Sequence, residues 1–118
     1  MSAAELLGQA RRLLNTRSVG GLSPRMAAFI ARQALEDIVA QRCSALGVVS
    51  PAANMRSKLL VLRALDEPAV ADAAAVAWSR LSNACHLHAY EMQPSLTEVE
   101  HLCGLVASLL PEGVNSGP

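Results

Sequence analysis

Apolar and polar positions alternate along this chain with the period of amphipathic helices, in five blocks separated by Gly, Pro and small polar residues. In the first block Ala3, Leu6, Leu7, Ala10, Leu13 and Leu14 share one face, and Gln9, Arg11 and Arg12 are left to solvent. Ser2 and Glu5 form a capping box that starts this helix, which should run to about Asn15. Residues 15–22 form a connection, and Ser23 before Pro24 predicts the start of a second helix that continues to a left-handed stop at Gly47. Its apolar positions cover more than one face, which predicts a central helix. After VVSPAAN, a short third helix is built on Met55, Leu59, Leu60 and Leu62 and ends near Leu65. The fourth is expected from Pro68 to about Met92, with Val70, Ala74, Ala77, Leu81, Ala84 and His88 at steps of four and three. Pro94 breaks it. Ser95 and Glu98 supply a second capping box, and Leu96, Val99, Leu102, Cys103, Val106, Leu109 and Leu110 form a stripe that Pro111 ends.

No hairpin or repeat signal interrupts this pattern, so the expected fold is all-α. The short loops predict an antiparallel bundle of five helices, a four-helix core plus a short helix, in one domain over residues 1–110. Residues 111–118 are expected to be a disordered tail. A chain of 118 residues can bury such a core without disulfides or metal.

Composition narrows the function classes. Hydrophobic residues make up 52 %, yet Arg, Asp or Glu interrupts every apolar stretch before a membrane span is reached. The N-terminal arginines follow the leucines, the wrong order for a secretory signal, so a cytoplasmic location is expected and no membrane partner. Cys43, Cys85 and Cys103 lie in apolar helical patterns and are expected as reduced thiols. Net charge is zero but segregated: residues 1–63 carry +6 and residues 64–118 carry −6. Such halves attract one another within a bundle or across a dimer; alternatively, the basic half meets an anion or the acidic surface of a protein partner. One Trp, one Tyr and one Phe give no stacking platform for a dedicated single-strand binder, so any RNA contact would be local.

Polar chemistry concentrates in residues 78–92, WSRLSNACHLHAYEM. On a continuous helix Trp78, Leu81, Ala84, Cys85 and His88 fall on the apolar arc, and Ser79, Arg80, Asn83, His86 and Tyr90 on the opposite one. Asn83, His86 and Tyr90, at steps of three and four, form a strip with Arg80 one turn earlier.

Two segments resemble HEPN domains, small helical bundles that often dimerise. Helix two, AAFIARQALEDIVAQRCSALG, is similar to that family's "alanine, glutamine, alanine, leucine, glutamate" helix. Arg80 and His86, five residues between them, resemble the Arg and His that HEPN ribonucleases carry on a late helix. The resemblance covers most of residues 1–110. It departs from the family at Leu81, where a polar residue often follows the Arg, and at His88, where a Tyr often stands two residues after the His; Tyr90 instead follows His88 at that spacing.

The resemblance implies a homodimer that binds or cleaves RNA without metal or other cofactor, in a stress, defence or toxin-antitoxin setting. Arg80 and His86 would then be catalytic. The imidazole would move protons at the 2′-hydroxyl and leaving oxygen, which suits a side chain with an ordinary pKa of about 6.5. The guanidinium would brace the phosphoryl oxygens, with Asn83, Tyr90 and His88 binding or orienting the substrate. The same strip also reads as a solvated helix face, with His88 a core histidine and Trp78 packing. The chain would then be a non-catalytic, homodimeric interaction or regulatory module, such as an antitoxin-like partner. A third reading sets Cys85, His88 and Cys103 around zinc, but close cysteine pairs are lacking and no metal site is expected.

Overall fold

A computed structural model describes residues 1–15, 22–48, 53–86 and 94–111. Its described residues form five α-helices and no strand: α1 (Ala3–Asn15), α2 (Leu22–Ala45), α3 (Met55–Leu65), α4 (Pro68–Cys85) and α5 (Leu96–Ala107). The all-α bundle is as expected. No helix among the described residues is long and apolar enough to cross a membrane.

Local chemistry explains most helix ends. At α1 the box closes fully: the Glu5 N–H donates to Ser2 Oγ at 3.1 Å, and the Ser2 N–H donates to Glu5 Oε1 at 3.2 Å. The bond from the Ser2 backbone holds the Glu5 carboxyl below the usual carboxylate range. Asn54 caps α3 by accepting from the Ser57 N–H at 2.9 Å. Helix α2 begins at Leu22, slightly before the Ser23–Pro24 pair, and Pro24 still falls in the first turn, where its missing N–H leaves no bond unmade.

At the other end of α2, Gly47 has φ 84°. Its N–H donates to the Ser44 carbonyl at 2.9 Å and the Val48 N–H to the Cys43 carbonyl at 3.0 Å, the paired bonds of a Schellman stop. Gly104 differs: it lies within α5, and a Cβ there would meet nothing within 4 Å. Alanine substitutions should therefore act with opposite signs. Gly47→Ala is expected to cost about 1 kcal/mol and Gly104→Ala to add about 0.5–1 kcal/mol, measured by urea unfolding. Equal signs would contradict this account of the two backbones.

Helix α2 touches all four others, which makes it the central helix the pattern predicted. Leu35, Ile38, Leu62, Leu81, Leu102, Val99 and Val106 are fully buried and fill the core. Helices α2 and α4 add buried alanines at 27, 28, 31, 34, 71, 74, 77 and 84, small enough to let backbones approach closely. The apolar stripe on α5 buries Val99, Leu102, Cys103, Val106 and Leu109, while Leu96 stays 42 % exposed.

One boundary differs from expectation. Helix α4 ends at Cys85, not near Met92, and His86 is an extended C-cap (φ −73°, ψ 132°) whose N–H donates to the Asn83 carbonyl at 3.2 Å. A continuous helical strip through Asn83, His86 and Tyr90 is therefore not formed, because the coil stops before its second member. His88 and Tyr90 lie outside the described residues, as does residue range 112–118 of the expected tail.

Candidate functional site

The early end of α4 changes how its polar residues meet. Ser79, Arg80 and Asn83 are exposed on the helix, opposite buried Leu81 and Ala84, as the helical arcs predict. The extended His86 lies just past the last turn. Together with Arg80, Asn83 and Ala84 it lines a cleft of about 200 Å³, closed by Arg25 from α2 and by Pro94 and Glu98 at the start of α5. Three of the five predicted site residues, Arg80, Asn83 and His86, are thus brought together, Arg80 and Asn83 by helical spacing and His86 by the extended backbone that follows.

Arg25 and Glu98 are additions that sequence reasoning missed. Arg25 is half-buried, and its Nε has no hydrogen-bond partner despite being buried. A guanidinium N–H withdrawn from water without an acceptor is costly, and an anion entering the cleft would offset that cost. Glu98 explains a departure from the predicted capping box. Ser95 Oγ accepts from the Glu98 N–H at 3.0 Å, but the return bond to the Ser95 N–H, which Glu5 makes at the first box, is absent. Glu98 is instead among the residues that line the cleft. Two guanidinium groups, an imidazole, a carboxamide and one carboxylate therefore share a small concave space, a set able to hold a phosphate and to exchange protons with it.

A larger cavity, about 540 Å³, opens beside Arg42, Asp66, Val70 and Leu110. Two of its charged residues are already committed to each other: Arg42 Nε and Nη2 donate to Asp66 at 2.8 and 3.2 Å, and Nη1 donates to the Leu109 carbonyl at 3.0 Å. The hydrogen bond to Arg42 holds the Asp66 carboxyl below its ordinary range, and Asp66 raises Arg42. This is a structural clamp between α2, the α3–α4 connection and the end of α5.

The remaining sequence candidates fall elsewhere. Trp78 is half-buried beneath Arg32, whose guanidinium carbon lies 4.2 Å from the ring centroid and whose Nε donates to Ser82 Oγ at 3.2 Å. Cys43, Cys85 and Cys103 are free, and burial raises all three thiols, against which Arg32 and Arg25 act at Cys85. They are therefore poor nucleophiles at neutral pH. No group of three or more His, Cys, Asp or Glu residues among the described residues is arranged to hold a metal ion. Comparison of the chain with family models, with curated proteins and with solved structures gave no match.

Proposed function

We propose that the cleft between α2, α4 and α5 binds an RNA phosphodiester and cleaves it without metal, as a HEPN-like endoribonuclease of a stress, defence or toxin-antitoxin system. The observation that carries this reading is the meeting of Arg80, Asn83 and His86 with Arg25 in one concavity. In the proposed step the 2′-oxygen attacks the adjacent phosphorus and the bond from phosphorus to the 5′-oxygen breaks. His86 accepts the proton of the 2′-hydroxyl and returns one to the leaving oxygen. Charge that builds on the non-bridging oxygens is met by Arg80 and Arg25. Asn83 has the donor and acceptor to orient the ribose or the imidazole. The products are a 2′,3′-cyclic phosphate and a free 5′-hydroxyl, so atoms and charge balance without an added reactant.

The resemblance to HEPN domains adds a homodimer to this reading. A second copy would extend a cleft that three helices of one chain already line, so cleavage need not depend on a residue from the partner.

The test is incubation of the purified chain with a structured RNA and with tRNA in the presence of a chelator, with end-group analysis of the fragments. Fragments with cyclic-phosphate ends that disappear in folded Arg80→Ala and His86→Ala variants are expected. Cleavage at an unchanged rate in both variants, or no cleavage and no RNA binding, overturns the proposal.

A further inference from the structure

A second surface, remote in character from the cleft, lies between α3 and α4. Leu59 and Leu60 of α3 and Ala75 and Trp78 of α4 line a groove of about 350 Å³, with Arg56 and Arg63 at its rim. The apolar lining is open to solvent at Leu60, which is 60 % exposed, and half-buried at Leu59 and Trp78. Sequence periodicity assigned Leu60 to the apolar side of α3, but only Leu62 of that helix is buried. Large apolar side chains grouped with arginines and left uncovered mark an interaction surface more often than a solvated face.

Charge identifies the kind of occupant. Arg56 and Arg63 stand seven residues apart on α3, about 10 Å along the axis, with Leu60 between them on the same face. Arg32 lies over Trp78 at the neighbouring α2 edge. The acidic group paired with this surface is Asp72, 3.7 Å from Arg63, and both side chains are more than 60 % exposed, so the contact leaves Arg63 able to take another carboxylate. The groove is thus apolar along its floor and basic along its edges. A nucleic acid would meet the arginines but would gain little from Leu59 and Leu60, whereas an amphipathic helix satisfies both features.

We propose that the α3–α4 groove docks an acidic amphipathic helix of a partner protein, with apolar side chains over Leu60 and Trp78 and carboxylates two turns apart on Arg56 and Arg63. This holds whether or not the cleft cuts RNA, because the two surfaces share no lining residue.

The test uses a display library of helical peptides about five turns long, with apolar residues at every third or fourth position and the rest randomised. Selection is on the full chain, with counter-selection on a folded Arg56→Glu, Leu60→Ser, Arg63→Glu variant. Trp78 is the only tryptophan, so its emission reads out binding without a label. Enriched peptides are expected to carry Asp or Glu at positions seven apart and to shift Trp78 emission saturably. They should bind the triple variant at least roughly tenfold more weakly and weaken further as salt rises. Failure to enrich any peptide, or enrichment of neutral or basic ones, overturns the proposal. So does self-association of the wild-type chain that the triple variant abolishes, or an RNA oligonucleotide that displaces the peptides through the same three residues.

Discussion

In the chelated RNA assay, His86→Ala is expected to slow single-turnover cleavage by roughly 10²–10³-fold while leaving RNA affinity nearly unchanged. The asymmetry follows from the proposed roles. A proton-transfer group acts chiefly as bonds change, whereas a cationic side chain also holds the ground-state phosphate. Arg80→Ala should therefore weaken binding as well as cleavage, and should reduce the salt dependence of binding by about one phosphate contact. Arg25→Met keeps much of the buried stem and removes the charge, so it should resemble Arg80→Ala in binding while the chain stays folded. Glu98→Gln, which removes the negative charge from the lining of the cleft, should tighten RNA binding at low salt. Arg80 is exposed, so circular dichroism and thermal unfolding of the Arg80→Ala variant should match the wild type. Equal losses of binding in all four variants would point to a shared structural defect and would remove the assignment of separate roles.

The features legible in the sequence are those set by a few neighbouring residues. Ser2, Asn54 and Ser95 each cap a helix through a bond to the residue three positions on, and Gly47 supplies the left-handed backbone of a Schellman stop. The heavily buried faces of α2, α4 and α5 follow from apolar periodicity in the same way. What escaped has a tertiary origin. The end of α4 at Cys85 is marked by neither Gly nor Pro in residues 84–88, so periodicity carried the predicted helix onward to the signal at Pro94. Arg25 lies 55 residues before Arg80, and helix packing brings both to one cleft. Glu98 was read as half of a reciprocal cap, a local role that competes with the cleft-facing one it adopts. Apolar pattern also counted Leu60 and Leu96 toward the hydrophobic stripes, but a pattern shows which side of a helix is apolar and not whether another element covers it. The cleft is accordingly less legible than the bundle, because its residues come from three helices and one irregular cap.

The largest loss of stability among surface-accessible charge changes is expected at Arg42. Its side chain is 22 % exposed and that of Asp66 is 9 % exposed, so the pair is largely withdrawn from solvent, unlike Arg63 and Asp72. Two parallel bonds to one carboxylate fix its geometry, and the third, to the Leu109 carbonyl, anchors the turn after α5. Arg42→Ala leaves the Asp66 carboxylate with only the Glu67 N–H as donor and removes the donor to the Leu109 carbonyl, and should cost about 2–3 kcal/mol and lower Tm by about 10 °C. Asp66→Asn keeps the shape and removes the charge, so it should lose less at pH 7 and also flatten the acid side of the stability profile. Because Arg42 depresses the folded-state carboxyl, the unfolded chain binds the proton more readily, and stability from this pair is fully present above the unfolded value of about 3.9. It is lost as pH falls through the lower, folded value. Urea unfolding of wild type and Asp66→Asn should therefore differ most near neutrality and converge toward pH 2. A constant difference across that range, or an Arg42→Ala variant within about 0.5 kcal/mol of wild type, would show that the clamp contributes no net stability and that α5 is held by its apolar stripe alone.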